Sequence, residues 1–450
     1  MKNFIQKIKD IWKHEELRKK IGVTLGFLLI YRVGCFIVLP GVDSAAVQAN
    51  FAKLSAGGGG TNITDLLALF TGGAFTSASI FALGIMPYIS ASIIMQLMGI
   101  AVPQIQKMQK EGESGRKKIN QWTRMLTIAI CLVQAPGYIA TSIPEGAREG
   151  GAFWMISAVT ILTCCTLFVM WLGEKITDKG IGNGISMIIM IGIIATFPQS
   201  IFQEAIHPSS SMFFLLVELA AFIVVIGASV ALVQAVRRVP LQRAKMNLGN
   251  QGMPMGEESR QFIPLRVNAA GVMPIIFAQA IMFVPLYLSN TETFRDTAFI
   301  GEMANFYGFW YNAVFFVMIV VFTYFYTAVT VNPNQIADDL KRQGSFIPGI
   351  KPGRPTAEFM DNILSKITLP GSMFLAFIAI LPAIVFSVGL TKATGFSYFF
   401  GGTSLLIMVG VVLDTLQQID SHLLSRHYDG LMKSGKMRGR SSSSLTGIAG

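Results

Sequence analysis

Residues 152–172 read AFWMISAVTILTCCTLFVMWL, 21 residues without a charge, and residues 173–182, GEKITDKGIG, follow at once with two lysines. At 1.5 Å per residue such a run reaches across a ~30 Å hydrocarbon core, which takes ~20 residues. Nine more apolar runs lie near 21–39, 78–101, 123–142, 183–203, 212–236, 268–289, 310–331, 367–390 and 398–417. With 52% hydrophobic and 14% charged residues, a chain of 450 residues does not fit a soluble domain. Backbone inside lipid must satisfy its own hydrogen bonds, so the runs are predicted as helices. The expected fold class is an all-α integral membrane protein with ten transmembrane helices.

The net charge of +11 could point to nucleic acid, but its distribution points elsewhere. Of 36 lysines and arginines, 31 fall in the N-terminus, the C-terminal tail and the segments 102–124, 173–182, 237–267 and 332–366. The alternate loops hold only Lys53, Arg148, Arg295 and Lys392, and Arg32 lies inside the first run. This is the positive-inside pattern, and an even number of spans puts both termini in the cytoplasm. The first run follows a charge-rich segment of about twenty residues and lacks a small-residue cleavage site, so it reads as a retained span. Cys35, Cys131, Cys164 and Cys165 all fall inside predicted spans and read as packing residues.

Segment 1–20 sets Phe4, Ile5, Ile8, Ile11 and Trp12 on one helical face, as expected of a helix in the headgroup plane. Between Pro40 and Ser77 the chain passes Gly57–Gly60 and a short apolar piece, Ile63 to Phe70, broken off by Thr71-Gly72-Gly73. A piece too short to span reads as re-entrant or cavity-lining. Two cytoplasmic loops are long. Loop 237–267 carries Arg237, Arg238, Arg243, Lys245, Arg260 and Arg266. Loop 332–366 holds a helix-like stretch, Gln335 to Gln343, then three prolines and two glycines within 346–355, which should stiffen a tip presenting Lys351 and Arg354. From charge alone these loops are equally topology signals or docking sites for an acidic or RNA-bearing partner. The basic and serine-rich segment 421–450 is expected to be largely disordered.

No HExxH, Walker loop or GxSxG occurs, and Gly180 to Gly184 follows a membrane helix rather than a strand, which argues against a dinucleotide fingerprint. The four histidines are scattered, so neither metal nor cofactor is expected, and no enzyme activity. Glu218, near an end of its run, reads more readily as reaching the interface than as a proton site.

Seven stretches carry a family resemblance: Ser79–Ile94 (SIFALGIMPYISASII), Lys110–Arg116 (KEGESGR), Trp171–Thr177 (WLGEKIT), Gly180–Ser186 (GIGNGIS), Asn268–Pro274 (NAAGVMP), Phe346–Gly349 (FIPG) and Gly401–Ile407 (GGTSLLI). In this order, and on the correct sides of ten spans, they resemble the SecY/Sec61-alpha family of protein-conducting channels. The resemblance implies two pseudo-symmetric five-helix halves, here 21–205 and 206–420, closing like a clamshell around an hourglass pore. It places the pore ring on Ile85, Ile89, Ile189, Ile276 and Ile407. Isoleucine suits a gasket, being stiff at χ1 and offering a passing chain no hydrogen bond. The plug falls on Asn62, Ile63, Thr64, Asp65, Leu66, Leu67, Ala68, Leu69, Phe70 and Thr71, tethered by permissive glycines.

The family's lateral gate opens between the second and third spans and the seventh and eighth. Ser90, Gln96 and Gln279 could hydrogen-bond across that seam, and Gln279 could equally bond backbone within its own half. The resemblance also implies SecE and SecG as companion subunits, and the SecA ATPase or a ribosome as the driver. These would dock on Arg237, Arg238, Arg243, Lys245, Lys351 and Arg354, while signal sequences, nascent chains and membrane lipid engage the pore and gate. Family members often carry Arg where Lys351 stands, and Lys lacks the bidentate geometry. The location implied is the bacterial inner membrane. A secondary transporter with inverted repeats is the rival, which solute uptake would favour, and an intramembrane protease lacks a nucleophile or paired carboxylates.

Overall fold

The computed structural model describes residues 14–56, 68–148, 150–206, 212–243, 261–289, 306–389, 394–397, 399–400 and 402–433. The expected interfacial segment before His14, plug residues 62–67, Lys245, Arg260 and the tail after Lys433 lie outside them. The N-terminal part runs α1 (Glu15–Gly34), α2 (Ser44–Ala56), α3 (Met86–Ala101), α4 (Pro103–Lys110), α5 (Glu113–Ser142), α6 (Ala152–Lys179) and α7 (Gly184–Ile206). The C-terminal part runs α8 (Met212–Gln234), β1 (Val236–Arg243), β2 (Gln261–Arg266), α9 (Met273–Ser289) and α10 (Phe309–Thr330). It continues through α11 (Pro333–Arg342), β3 (Ser345–Phe346), α12 (Arg354–Val388), α13 (Thr394–Ser397) and α14 (Gly402–Lys433).

Helices α1, α3, α5 to α10, α12 and α14 occupy the ten predicted runs, as a multi-pass membrane protein requires. Among the described residues, seven helices are long and apolar enough by length and composition to cross a membrane. The pair Met86–Gly99 and Pro103–Gln109, bent by 102°, adds an eighth. The two that fall short have visible reasons: α1 opens on Glu15, Glu16, Arg18, Lys19 and Lys20, and α9 is only 17 residues long. Large apolar side chains face outward from the bundle, with Phe153 87%, Phe309 79% and Val133 77% exposed, which lipid tolerates and water would not.

Several predicted bounds need correction. The second run does not begin a helix at residue 78: residues 72–85 form successive turns with positive φ at Gly72, Gly73, Ala78 and Gly84, and α3 starts at Met86 with Pro87 in its first turn. Proline there costs no hydrogen bond, because the first N–H groups of a helix have no partner anyway. Helix α12 starts at Arg354, well before the expected 367, and α14 continues to Lys433, past the expected boundary at 420. Both extensions are polar, so hydropathy alone could not mark them.

The packing divides by halves. One hydrophobic cluster draws only on residues between Leu39 and Leu162, another only on residues between Leu232 and Leu406, and the largest draws on both parts. The sequence reading missed a three-stranded antiparallel sheet in the order β2-β1-β3. Arg238 pairs with Pro264 and Val239 with Ile263, while Arg243 pairs with Ser345, so the two long loops, 237–267 and 332–366, are joined by backbone. Val239, Leu265, Ile347, Met360 and Leu364 form a separate small core beneath that sheet.

Candidate functional site

The five predicted ring isoleucines come from four helices and enter one cluster. Ile85, Ile189 and Ile407 are buried within it at 6%, 6% and 3% exposure, and Ile89 and Ile276 are partly buried against it. Ile185, one turn before Ile189, packs there too. Ile85 caps α3, and the Ile89 N–H donates to its carbonyl at 3.1 Å, so the pair share the first helical turn. Since lipid tails are as apolar as isoleucine, little hydrophobic gain holds such a cluster inside a membrane. The isoleucine side chains themselves offer water or ions no hydrogen bond.

Of the predicted plug, Ala68 to Thr71 are described, and they are helical. Leu69 is buried at 5% exposure in the isoleucine cluster, and Phe70 packs against it. The helix ends in a Schellman motif, with Gly73 N–H donating to Ala68 O at 2.8 Å and Gly72 N–H to Leu69 O at 3.3 Å. Gly72 takes the left-handed conformation, φ +65°, that this motif needs.

The expected bonds across the lateral seam take other partners. Gln279, 5% exposed on α9, accepts from the Thr403 hydroxyl of α14 at 2.5 Å, within the C-terminal part. Gln96 donates to Ser92 of its own helix at 3.4 Å, and Ser90 is half-buried. In lipid a polar side chain takes the nearest partner, and here that partner lies inside its own half. Glu218 is also corrected: at 2% exposure it is buried in the bundle rather than reaching the interface, and Glu204 at the end of α7 is as buried, at 1%. Composition gave no sign of the second.

Gly180 to Gly184 forms the tight connection from α6 to α7. Gly182, at φ +83°, donates its N–H to Gln418 Oε1 of α14 at 2.8 Å, and Thr24 Oγ1 of α1 accepts from Ile181 N–H at 3.1 Å. This glycine motif therefore serves packing, holding the α6–α7 connection against α1 and α14.

The docking candidates sit on the joined loops. Arg237 and Arg238 are exposed on β1, the latter with its guanidinium 4.9 Å from the Phe262 ring centroid. Arg243 is the last residue of β1. Lys351 and Arg354 are exposed at the tip, Arg354 pairing with Glu358 at 3.2 Å. Beneath them Ile347 is buried and Ile350 partly buried, which fixes the tip more directly than its prolines do. Arg266 ties the sheet to α14, donating to Gln417 Oε1 at 2.8 Å and lying 4.0 Å from Asp414.

A sequence model of the SecY family matches residues 79–416. The chain is 39% identical to protein translocase subunit SecY of Mycobacterium tuberculosis, covering 96% of this chain and 99% of that one. It is 41% identical to the Streptomyces griseus subunit of the same name, over 94% and 98%. Among solved structures, a protein-conducting channel superposes with a TM-score of 0.60 at 17% identity, over 92% of this chain and 95% of that one. A SecY structure described for a plug domain that stabilises the closed channel gives 0.58 at 16%, over 92% and 95%. Sec61 in a canine ribosome–channel complex gives 0.55 at 16%, again over 92% and 95%. These likenesses share the fold, and together with the matched residues they establish that this chain belongs to the SecY family of protein translocase subunits.

Proposed function

We propose that the chain is the pore-forming subunit of a Sec translocon in a bacterial inner membrane, with both termini cytoplasmic. It conducts unfolded polypeptides outward, releases apolar segments sideways into lipid, and makes or breaks no covalent bond. The observation that carries the reading is the convergence of Ile85, Ile89, Ile189, Ile276 and Ile407 from four helices into one cluster, with Leu69 and Phe70 against it. Side chains meant for lipid or for one helix pair would not meet around a shared point. In this reading they form the ring, and the segment from Asn62 to Thr71 is the plug that closes it.

The joined cytoplasmic loops, with Arg237, Arg238, Arg243, Lys245, Lys351 and Arg354, are the docking surface for a ribosome or the SecA motor. The solved Sec61 of the ribosome–channel complex supports a ribosome partner for this fold. SecE and SecG complete the complex. Signal sequences would part α3 and α5 from α9 and α10, a seam flanked by Ser90 and Gln96. The test is resting conductance in planar bilayers. Replacing Ile89 or Ile276 with Asn wets the collar and raises ion leak through the idle channel. Unchanged leak in both variants contradicts the ring.

A further inference from the structure

Arg32 is the ionisable residue that lies inside the first apolar run, in the last turn of α1. Its Nη1 donates to the carbonyl of Gly72 at 2.9 Å, and its guanidinium stands 5.2 Å from the Phe36 ring centroid. One turn on, Cys35 Sγ lies 4.0 Å from Thr71 O, so the end of α1 faces two successive carbonyls of the same turn. On the other side of that turn is Gly192 of α7. A Cβ there would lie 2.6 Å from Phe70 O, closer than real side chains approach. A Cβ on Gly72 would in turn meet Arg32 at 2.6 Å and the Gly192 backbone at 3.0 Å. The segment from Ala68 to Gly73 is thus held between α1 and α7, directly against the isoleucine cluster.

A cation at membrane depth is costly unless it is paired. The charge-assisted bond to Gly72 O is a polar contact that the sequence alone did not foresee. We infer that Arg32 is a positioning residue that latches the Ala68–Gly73 turn in its resting place and so sets how firmly the idle channel is shut. Opening requires this bond to be exchanged for water or for carbonyls of the entering chain. The inference deepens the plug reading and rests on it.

The experiment measures resting conductance of the purified translocon in planar bilayers for Arg32→Met, Arg32→Gln and Arg32→Lys. Each is made in the full chain and in a chain lacking residues 62–71. Loss of a charge-assisted bond shifts a two-state balance by about tenfold or more, so Met and Gln should raise the leak by about that factor. Lysine, which keeps a donor and the charge, should restore part of the seal. In the shortened chain, already leaky, none of the three should add anything, because the latch has nothing left to hold.

If deletion raises the leak while Arg32→Met and Arg32→Gln leave it unchanged, the latch is refuted and the plug reading survives. If the Arg32 substitutions add to the leak of the chain lacking residues 62–71 as much as they add to that of the full chain, Arg32 acts elsewhere and the inference is again refuted. If deletion itself leaves conductance unchanged, the plug reading fails and takes the latch with it. Methionine leaves no buried charge in a membrane helix, so that variant remains informative where glutamine does not assemble.

Discussion

At the scale of single residues, a polar side chain at membrane depth is conspicuous in the sequence while its partner is not. Gln279 is expected at the seam and instead accepts from Thr403 across α9 and α14. Arg32 stands out in its run, yet nothing in the linear order brings it to Gly72, forty residues on. In lipid the alternative to an internal partner is none, so such a group gains by bonding within the protein, and which group it finds is decided by packing. A prediction follows for Gln279. Its replacement by Leu leaves the Thr403 hydroxyl without its acceptor and should cost ~0.6–1.7 kcal/mol of stability. Adding Thr403→Ala should recover much of that loss in thermal unfolding of the detergent-solubilised complex. If the double variant loses the sum of the two single costs, the pair is not coupled.

At the scale of elements, hydrophobicity revealed where helices cross and missed what lies beyond the membrane. The strand Val236–Arg243 contains three arginines and a proline, and its apolar face shows only in the burial of Val239 and half-burial of Leu241. Its partners are β2, across a long connection, and β3, about a hundred residues on, so no local alternation announced the sheet. The helix over Pro333–Arg342 was legible, because Asn332 caps it by accepting from the N–H groups of Asn334 and Gln335. The tip bearing Lys351 was read as stiff because of proline and glycine, but the core under the sheet is the stronger constraint. Truncating Met360, which is fully buried, or Ile347 to Ala should cost ~2–5 kcal/mol in that core. Hydrogen exchange should then quicken across residues 345–356 and in β1, with resting ion leak unchanged. Unaltered exchange in the tip would show that the core does not hold it.

At the scale of the whole molecule, the division into two parts is present in the packing itself. Each part keeps a hydrophobic cluster of its own, and the shared cluster is the one that gathers the isoleucines. The helices of the apolar runs were legible because the bilayer imposes a length on every segment. The shared centre was not legible from periodicity, since an isoleucine facing lipid and one facing a pore look alike in sequence. Only ordered motifs such as Ser79–Ile94 and Gly401–Ile407 carried that information.

The most direct test of the central claim uses a secretory precursor stalled midway through the reconstituted complex, with a photo-reactive residue placed singly at 85, 89, 189, 276 or 407. Controls carry the same probe at outward-facing Val133 and Ile223, 77% and 61% exposed. The account predicts adducts to the stalled chain from all five central positions and none from the two controls. Adducts no more frequent at the isoleucines than at Val133 and Ile223 would contradict it.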